Sequence, residues 1–208
     1  DRATVAVVDF KMKASAFETF EVDKEERFGI NMLRFLTIIK RASTSDRMTL
    51  VLAGNKLDVT LYGRSTRKFS IPLLDLSQED VPPITQFKFP ATAEIKTEII
   101  DEGINDADIV ADSVIIEMSD AFRMYAEGDS SRTELHLESG NSALLSISAE
   151  SPVKARYPLE YMKKIIKAAK LSETAKMHIG NDYPMRIDFQ GNNVSMTFVL
   201  APRVMESD

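Results

Sequence analysis

Lysine side chains occupy matching positions in two similar stretches of the chain. The first stretch reads Ile38-Ile39-Lys40-Arg41-Ala42 and the second reads Ile165-Ile166-Lys167-Ala168-Ala169, so Lys40 and Lys167 are 127 positions apart. Further lysines, Lys163 and Lys170, flank the second stretch. Ammonium and guanidinium groups can bind phosphate without reading a base sequence. Phosphate contact is therefore the chemistry that these residues could provide.

Catalytic chemistry has less support. The sequence has eight glycines and contains no G-x-G-x-x-G, Walker-type or G-x-S-x-G motif. His136 and His178 lie far apart in strand-like segments without metal-ligand spacing, which favours strand-surface side chains over a base or ligand. A calcium site at Asp101, Glu102, Asp106 and Asp108 is weakly supported, because the glycine and terminal glutamate of an EF-hand loop are missing. We predict no cofactor and no metal.

The segments that carry these residues repeat. In each copy a helical stretch leads into three short strands, and a period of 127 residues indicates two similar domains and not a solenoid. Asn31 is a predicted N-cap for a helix over 32–42 that buries Leu33, Phe35, Leu36 and Ile39. A second helix over 159–171, opened by Pro158, turns Lys163, Lys167 and Lys170 outward. An acidic helix is predicted near 96–108, and strands over 4–10, 20–22, 28–30, 48–53, 56–62, 68–72, 113–118, 121–127, 133–137, 144–149, 153–157, 175–179, 185–189 and 194–200.

Composition limits the possible functions. The chain has 208 residues, 44% of them hydrophobic, which is enough for one large core or two small ones. The absence of cysteine excludes disulfides and fits a reducing interior. No apolar run approaches the roughly 20 residues that span a bilayer, so we expect no membrane partner. A net charge of −6 argues against a simple polycation but allows basic residues gathered on one face.

A linker over 73–85 separates the two copies. It contains Val81-Pro82-Pro83-Ile84, and adjacent prolines favour extended, irregular backbone. Its apolar residues either hold the linker against the protein or form a binding surface.

Several motifs together resemble one family, the sliding clamps of the proliferating cell nuclear antigen type in their archaeal form. They are Val7-Val8-Asp9-Phe10, Phe28-Gly29-Ile30-Asn31, Ile39-Lys40-Arg41-Ala42, the stretch 65–75, the stretch 124–129, and the terminal Leu200-Ala201-Pro202-Arg203 after an apolar strand. The resemblance covers almost the whole chain in the right order. It departs at the start, where the family's opening strand–helix–strand of roughly 40 residues is expected and not found.

The resemblance implies an α+β DNA clamp fold of two similar domains. Each domain is built from duplicated helix-plus-antiparallel-strand units, with helices on the inner face and sheets on the outer face of a ring. The expected boundaries are 1–72 for the N-terminal domain with most of its first half-unit missing, 73–86 for the connecting loop, and 87–208 for the C-terminal domain. The ring would contain three chains, as a homotrimer or a heterotrimer of paralogues.

The function implied by the resemblance is that of a processivity factor and not of an enzyme. The ring would encircle double-stranded DNA and tether DNA polymerase, the clamp loader, flap endonuclease and DNA ligase through short client peptides. Such a protein would work in the cytoplasm of an archaeon, or in the nucleus of a eukaryote. DNA contact is predicted for Lys40, Arg41, Lys163, Lys167 and Lys170.

Two further sites are carried over from the family. Client peptides would bind a pocket walled by Val81, Pro82, Pro83, Ile84, Pro184, Val199, Leu200, Ala201, Pro202 and Arg203. Ring closure would pair the strand over 67–71 with a strand near 132–137 of the next chain. The acidic helix is unlike the basic channel helix of the family, so we predict an intersubunit role in which Arg64, Arg67 and Lys68 approach Asp101, Glu102 and Asp106. The alternative is a solvated acidic face.

Two other classes of protein are alternatives to a clamp. A hydrolase or transferase using carboxylates would need convergent catalytic groups, and the sequence offers none. A scaffold protein that never touches nucleic acid would not need cations at matching positions of two repeated helices.

Overall fold

The computed structural model describes residues 5–75 and 87–203. Within these ranges the strands are β1 (Ala6–Met12), β2 (Arg47–Ala53), β3 (Lys56–Tyr62), β4 (Thr66–Pro72), β5 (Ala91–Lys96), β6 (Ser113–Met118), β7 (Ala121–Glu127), β8 (Arg132–Glu138), β9 (Leu144–Ala149), β10 (Val153–Pro158), β11 (Thr174–Ile179), β12 (Met185–Gln190) and β13 (Val194–Leu200). The α-helices are α1 (Met32–Ile39), α2 (Thr97–Val110) and α3 (Leu159–Ile165). A 3-10 segment, Ile166–Leu171, continues α3.

The chain divides into two compact units. The smaller unit lies within Glu21–Pro82, and the larger unit combines Asp1–Phe20 with Pro83–Asp208. The larger unit contains a six-stranded sheet in the order β1-β13-β12-β11-β5-β9 and a four-stranded sheet in the order β10-β6-β7-β8. The smaller unit contains the sheet β2-β3-β4. Every strand pairing found between these strands is antiparallel, as an α+β fold requires.

The core of the larger unit follows from the period-two pattern of its strands. Alternate residues such as Ile95, Ile116 and Met177 are fully buried, and the residues between them are more exposed. Helix α2 adds Ile100, Ile104 and Ala107, which share one face at helical spacing. Gly103 lies on the same helix, and a Cβ there would come within 3.2 Å of the Met124 side chain. The helix can therefore approach the sheet closely at this point.

Helix α3 packs beside α2 in the same core. Its Leu159, Met162 and Ile165 are buried, and the core continues with Ile166 and Ala168 in the 3-10 segment. The prediction of one continuous helix over 159–171 is corrected here, because the α-helix ends at Ile165 and the next residues follow a tighter 3-10 path.

The smaller unit packs α1 on its three-stranded sheet. The Asn31 side chain accepts a hydrogen bond from the Arg34 backbone N–H at 3.0 Å, which confirms the predicted N-cap. Leu57, Val59, Leu61 and Ile71 form the buried cluster, against which several partly buried residues pack: Ile30, Phe35, Ile38, Ala42, Met48, Phe69 and Leu73.

Three predictions about the smaller unit are wrong. Leu33, Leu36 and Ile39 were predicted to be buried but are 77%, 44% and 37% exposed, because α1 turns Phe35 and Ile38 toward the sheet instead. Residues 20–22 and 28–30 do not form a strand pair, since Gly29 bridges to the distant Leu74. The helix also ends at Ile39 and not at Ala42.

Strand β1 is hydrogen-bonded to the last strand of the chain. Its register runs from Ala6 opposite Leu200 to Met12 opposite Val194. The family resemblance predicts that this segment belongs to the N-terminal domain, over 1–72. Its hydrogen-bonded neighbour is instead a strand of the six-stranded sheet.

Candidate nucleic-acid and partner interfaces

The matching cations Lys40 and Lys167 both follow an α-helix. Lys40 caps the C-terminus of α1, and the next two N–H groups donate to carbonyls three residues back, at Ile38 and Ile39. Lys167 lies in the 3-10 segment that continues α3. Both side chains are exposed, as is Arg41. The offset of 127 residues therefore relates positions that have the same kind of local structure.

The other predicted cations are exposed on α3 and its extension. Lys163 and Lys170 face solvent, as the predicted outward turn of this helix requires. The Lys163 ammonium lies 2.8 and 2.9 Å from the two carboxylate oxygens of Asp108 on α2. Among residues 5–75 and 87–203, Lys167 and Lys170 have no ion pair. The three lysines therefore differ in their freedom to meet an anion.

The acidic residues Asp101, Glu102 and Asp106 are exposed on α2. No ion pair involves any of the three within the described ranges. The described part of the chain also contains no group of three or more side chains that could hold a metal ion.

The two strands predicted to join neighbouring chains both lie at sheet edges. Strand β4 pairs only with β3, and β8 pairs only with β7, among the strands that the structure describes. Each strand therefore presents one row of backbone groups without a strand partner in these ranges. Arg64 and Lys68 are exposed at the edge formed by β4. Arg67 is engaged within its own unit, where it contacts Asp46 at 2.5 Å and the Arg41 carbonyl at 3.0 Å.

Strands β7 and β8 carry a charged cluster that was not predicted from the sequence. Arg123 and Arg132 both bind Glu134, and each guanidinium lies 5.4 Å from the centroid of the Tyr125 ring. The hydrogen bond from Arg123 is the main cause that holds the pKa of Glu134 below its usual value. Alternating charges along β7 and β8 could have suggested this cluster, but only the strand register brings the side chains together.

The predicted peptide pocket is described only in part. Val81, Pro82, Pro83 and Ile84 lie outside the described residues. Pro184, Ala201 and Pro202 are partly exposed, and Arg203 is exposed and pairs with Asp112 at 2.6 Å. Val199 is 6% exposed and Leu200 is fully buried, so these two side chains belong to the core and do not offer an open wall. Substituting Leu200 would therefore disturb the core as well as any pocket.

His178 lies in a hydrogen-bonded network on the solvent side of the six-stranded sheet. Its Nδ1 is 2.9 Å from Thr92 Oγ1, and its Nε2 is 3.2 Å from Asp188 Oδ2. Burial acts to raise the pKa of Asp188, but hydrogen bonds with His178, Thr197 and Arg186 outweigh burial and hold this pKa below its usual value.

An aromatic group adjoins this network. The rings of Phe87, Phe89 and Tyr183 pack on one another, and Phe89 also packs on His178. Sequence spacing could not reveal either feature, because Thr92 and His178 are 86 positions apart.

The described helices and strands form an α+β protein of antiparallel sheets, with basic residues after two matching helices and two sheet edges that have no strand partner in the described ranges. No helix in the described ranges is long and apolar enough to cross a membrane.

Comparison with known proteins agrees with this class. Residues 1–80 match the model of the proliferating cell nuclear antigen N-terminal domain, and residues 84–204 match that of its C-terminal domain. The chain is 30% identical to DNA polymerase sliding clamp 1 of Thermococcus kodakarensis and 31% identical to the DNA polymerase sliding clamp of Pyrococcus horikoshii. Each match covers 99% of this chain and 84% of the relative.

Solved structures show the same fold. The crystal structure of proliferating cell nuclear antigen from Thermococcus kodakaraensis matches with a TM-score of 0.84 at 24% identity, over 98% of this chain and 84% of that one. The PCNA2–PCNA3 complex from Sulfolobus tokodaii matches with a TM-score of 0.82 at 26% identity, over 98% and 83% of the two chains. The chain belongs to the proliferating cell nuclear antigen family. The predicted family and the predicted fold class are confirmed. Because the family consists of non-enzymatic processivity factors, the prediction that the chain is not an enzyme is also confirmed.

Proposed function

We propose that the protein works as a DNA sliding clamp, in which three chains form a ring around duplex DNA and tether DNA polymerase. The observation that carries this proposal is the placement of exposed Lys40 and Lys167 at matching positions after two repeated helices. A duplicated unit that presents a cation at the same place twice suits a ligand with repeating charge, and the phosphate backbone of DNA is such a ligand.

A net charge of −6 is compatible with DNA binding by a ring. A closed ring holds DNA by topology, so each phosphate contact needs to contribute only a little. Lys40, Arg41, Lys163, Lys167 and Lys170 supply these contacts, which do not depend on base sequence. Acidic residues elsewhere then limit tight, non-specific binding.

Ring closure uses the two free strand edges. Strand β4 of one chain pairs with β8 of the next, because each edge has backbone donors and acceptors to satisfy. Arg64 and Lys68 are the cations of this edge that approach Asp101, Glu102 and Asp106 of the neighbouring chain. Arg67 already binds Asp46 in its own unit, so its contribution is to hold β4 in place. The proposed domain boundaries remain those of the family, 1–72 and 87–208 with a connecting loop over 73–86, although residues 1–20 group with the larger unit in the structure.

Partners bind next to the C-terminal residues. Ala201, Pro202, Arg203 and Pro184 form the described part of a site for short client peptides, completed by the stretch 81–84. The clients are DNA polymerase, the clamp loader, flap endonuclease and DNA ligase, in the cytoplasm of an archaeal cell. The ring is a homotrimer or a heterotrimer of paralogues, and the complex of PCNA2 with PCNA3 from Sulfolobus tokodaii supports a ring of different chains.

Retention on DNA tests this function. The full protein is loaded onto nicked circular DNA by a clamp loader, the circle is cut, and bound protein is measured by gel filtration before and after the cut. We expect retention on the circle and loss from the linear DNA. The double variant Lys40→Glu with Lys167→Glu should be loaded and retained less, while light scattering shows an intact oligomer.

A matched control distinguishes the effect of the positions of Lys40 and Lys167 from the general effect of reversing two charges. Lys24→Glu with Lys88→Glu reverses one exposed lysine in each unit outside the proposed interface and should behave like the parent. Equal retention on cut and closed DNA would exclude a sliding clamp. Equal loss in both double variants would exclude the assignment of Lys40 and Lys167 to the DNA interface.

A further inference from the structure

One predicted DNA contact is already occupied by a carboxylate of the protein itself. The Lys163 ammonium binds both oxygens of Asp108, at 2.8 and 2.9 Å, and the two side chains remain 45% and 42% exposed. The pair joins α3 to α2 at the surface. It is accessible to solvent, and therefore also to another anion.

The position of this pair is set by the core beneath it. The Leu159 N–H donates to the Asp112 carbonyl at 2.9 Å, next to the C-terminus of α2. At the other end of α2, the Thr97 hydroxyl donates to the Ser172 carbonyl at 3.1 Å. These two contacts show that α3 with its 3-10 extension runs antiparallel to α2. Between them, the buried Met162 of α3 and Ile104 of α2 lie in the same core. Asp108 is therefore held opposite Lys163 by the packing of its helix.

The pairing is selective within the described ranges. Lys167 and Lys170 on the same helical segment have no ion pair there, and neither have Asp101, Glu102 or Asp106 on α2. In the first copy the position that matches Lys163 is Leu36, so α1 cannot form such a pair. Within the described ranges, this arrangement is found in the larger unit and not in the smaller one.

We infer that Asp108 weakens DNA contact at Lys163 by holding its ammonium in competition with the phosphate backbone. This inference rests on the proposed DNA interface. A phosphate can displace the carboxylate because an ion pair between partly exposed side chains is weak. Lys163 then alternates between the carboxylate and passing phosphates, while Lys167 and Lys170 remain available throughout. Such an exchange lowers the grip of the ring on DNA, which suits a protein that must move along the duplex.

The test compares two neutralising substitutions in the full protein. Asp108→Asn removes the partner of Lys163 and keeps the shape of the side chain. Glu160→Gln removes one negative charge from exposed Glu160 on α3, which has no ion pair in the part of the chain that the structure describes. Binding to a short duplex DNA, over whose free ends the ring can thread in both directions, is measured at equilibrium over a range of salt concentrations. We expect Asp108→Asn to bind roughly two- to five-fold more tightly than Glu160→Gln. Its salt slope should be steeper by up to about 0.9, the value for one added phosphate contact.

A double-mutant cycle assigns the effect to Lys163. Asp108→Asn in a Lys163→Gln background should bind DNA like Lys163→Gln alone, because the released ammonium is then absent. The inference is overturned if Asp108→Asn and Glu160→Gln bind alike, or if the gain persists in the Lys163→Gln background. Thermal unfolding of each variant checks that the fold is retained.

Failure of the proposed interface gives a different result. If Lys167→Gln leaves the affinity and the salt slope for duplex DNA unchanged, the lysines of this segment do not face DNA, and the interface assignment itself falls. If Lys167→Gln lowers both and Asp108→Asn changes neither, the interface stands and only the role of Asp108 is excluded.

Discussion

The helices α1 and α3 carry related apolar residues at an offset of 127 positions, but the matching side chains differ in how much of their surface is exposed. Ile39 on α1 and Ile166 after α3 are matching isoleucines, and they are 37% and 7% exposed. Met32 matches Leu159, and these residues are 63% and 1% exposed. The difference is large although the residue types and local helical structure are similar.

The neighbour of each helix explains the difference. Helix α3 packs beside α2, and residues of both helices enter one core that includes Ile104, Met162 and Ile166. In the smaller unit the structure describes α1 on a three-stranded sheet, with no second helix in the described residues 21–75. An apolar helix face is therefore buried only where another element covers it, and the helical pattern alone does not say whether one does.

The largest expected effect comes from truncating the matching isoleucines. Ile166→Ala should lower the free energy of unfolding by about 2–5 kcal/mol, because it removes buried methyl groups and leaves a cavity. Ile39→Ala should cost less than about 1 kcal/mol, because this side chain is more exposed. Urea unfolding followed by circular dichroism measures both. Equal losses would break the comparison and show that Ile39 is covered in solution.

A smaller loss of unfolding free energy is expected at a second pair of matching positions, Asp46 and Glu173. Here the residue in the smaller unit has the more buried side chain. Asp46 is 6% exposed in its side chain and accepts hydrogen bonds from Arg67 and from the Ser43 backbone N–H. Asp46→Ala should cost about 1–3 kcal/mol, because donors lose their acceptor in a mostly buried place. The matching residue Glu173 is exposed, and Glu173→Ala should change the free energy of unfolding by less than about 0.5 kcal/mol. A larger loss for Glu173→Ala than for Asp46→Ala would contradict this contrast.

The smallest effect concerns acid stability of the larger unit. The pKa of Asp188 is lowered in the folded protein, so the folded state binds fewer protons there than the unfolded state does. The resulting stability is present above the unfolded pKa of about 3.9 and is lost as the pH falls through the lower folded pKa. Asp188→Asn should therefore flatten the fall in unfolding free energy between pH 5 and pH 2, measured by urea titrations at each pH.

A control on the same strand face checks this assignment. Ser195 points to the same side of β13 as Thr197, two residues away. Ser195→Ala should keep the acid dependence of the parent. An unchanged pH dependence in Asp188→Asn would exclude Asp188 as a source of it.

Local features of the fold could be predicted from the sequence. The cap at Asn31, the outward turn of Lys163, Lys167 and Lys170, and the alternation along the strands depend on residues close together in the chain. The family could be recognised as well, because its motifs are short and local. The DNA contacts and the peptide site remain predictions.

Contacts between distant residues could not be predicted. The Lys163–Asp108 pair joins positions 55 apart, and the Thr92–His178 hydrogen bond joins positions 86 apart. Both require the relative placement of packed elements. The burial of Leu200 likewise depends on its neighbours across the sheet, so its inclusion in a peptide pocket could not be checked from the sequence.

The cap of α1 could be predicted from the sequence because capping acts over a few residues, and the duplication and the matching lysines because the repeat can be seen in the order of residues. Which apolar faces are buried, the pairing of β1 with β13, and the carboxylate partner of Lys163 became known only from the folded structure. The physical reason is that burial and ion pairing depend on which surfaces meet. That depends on strand register and helix packing between segments far apart in the chain.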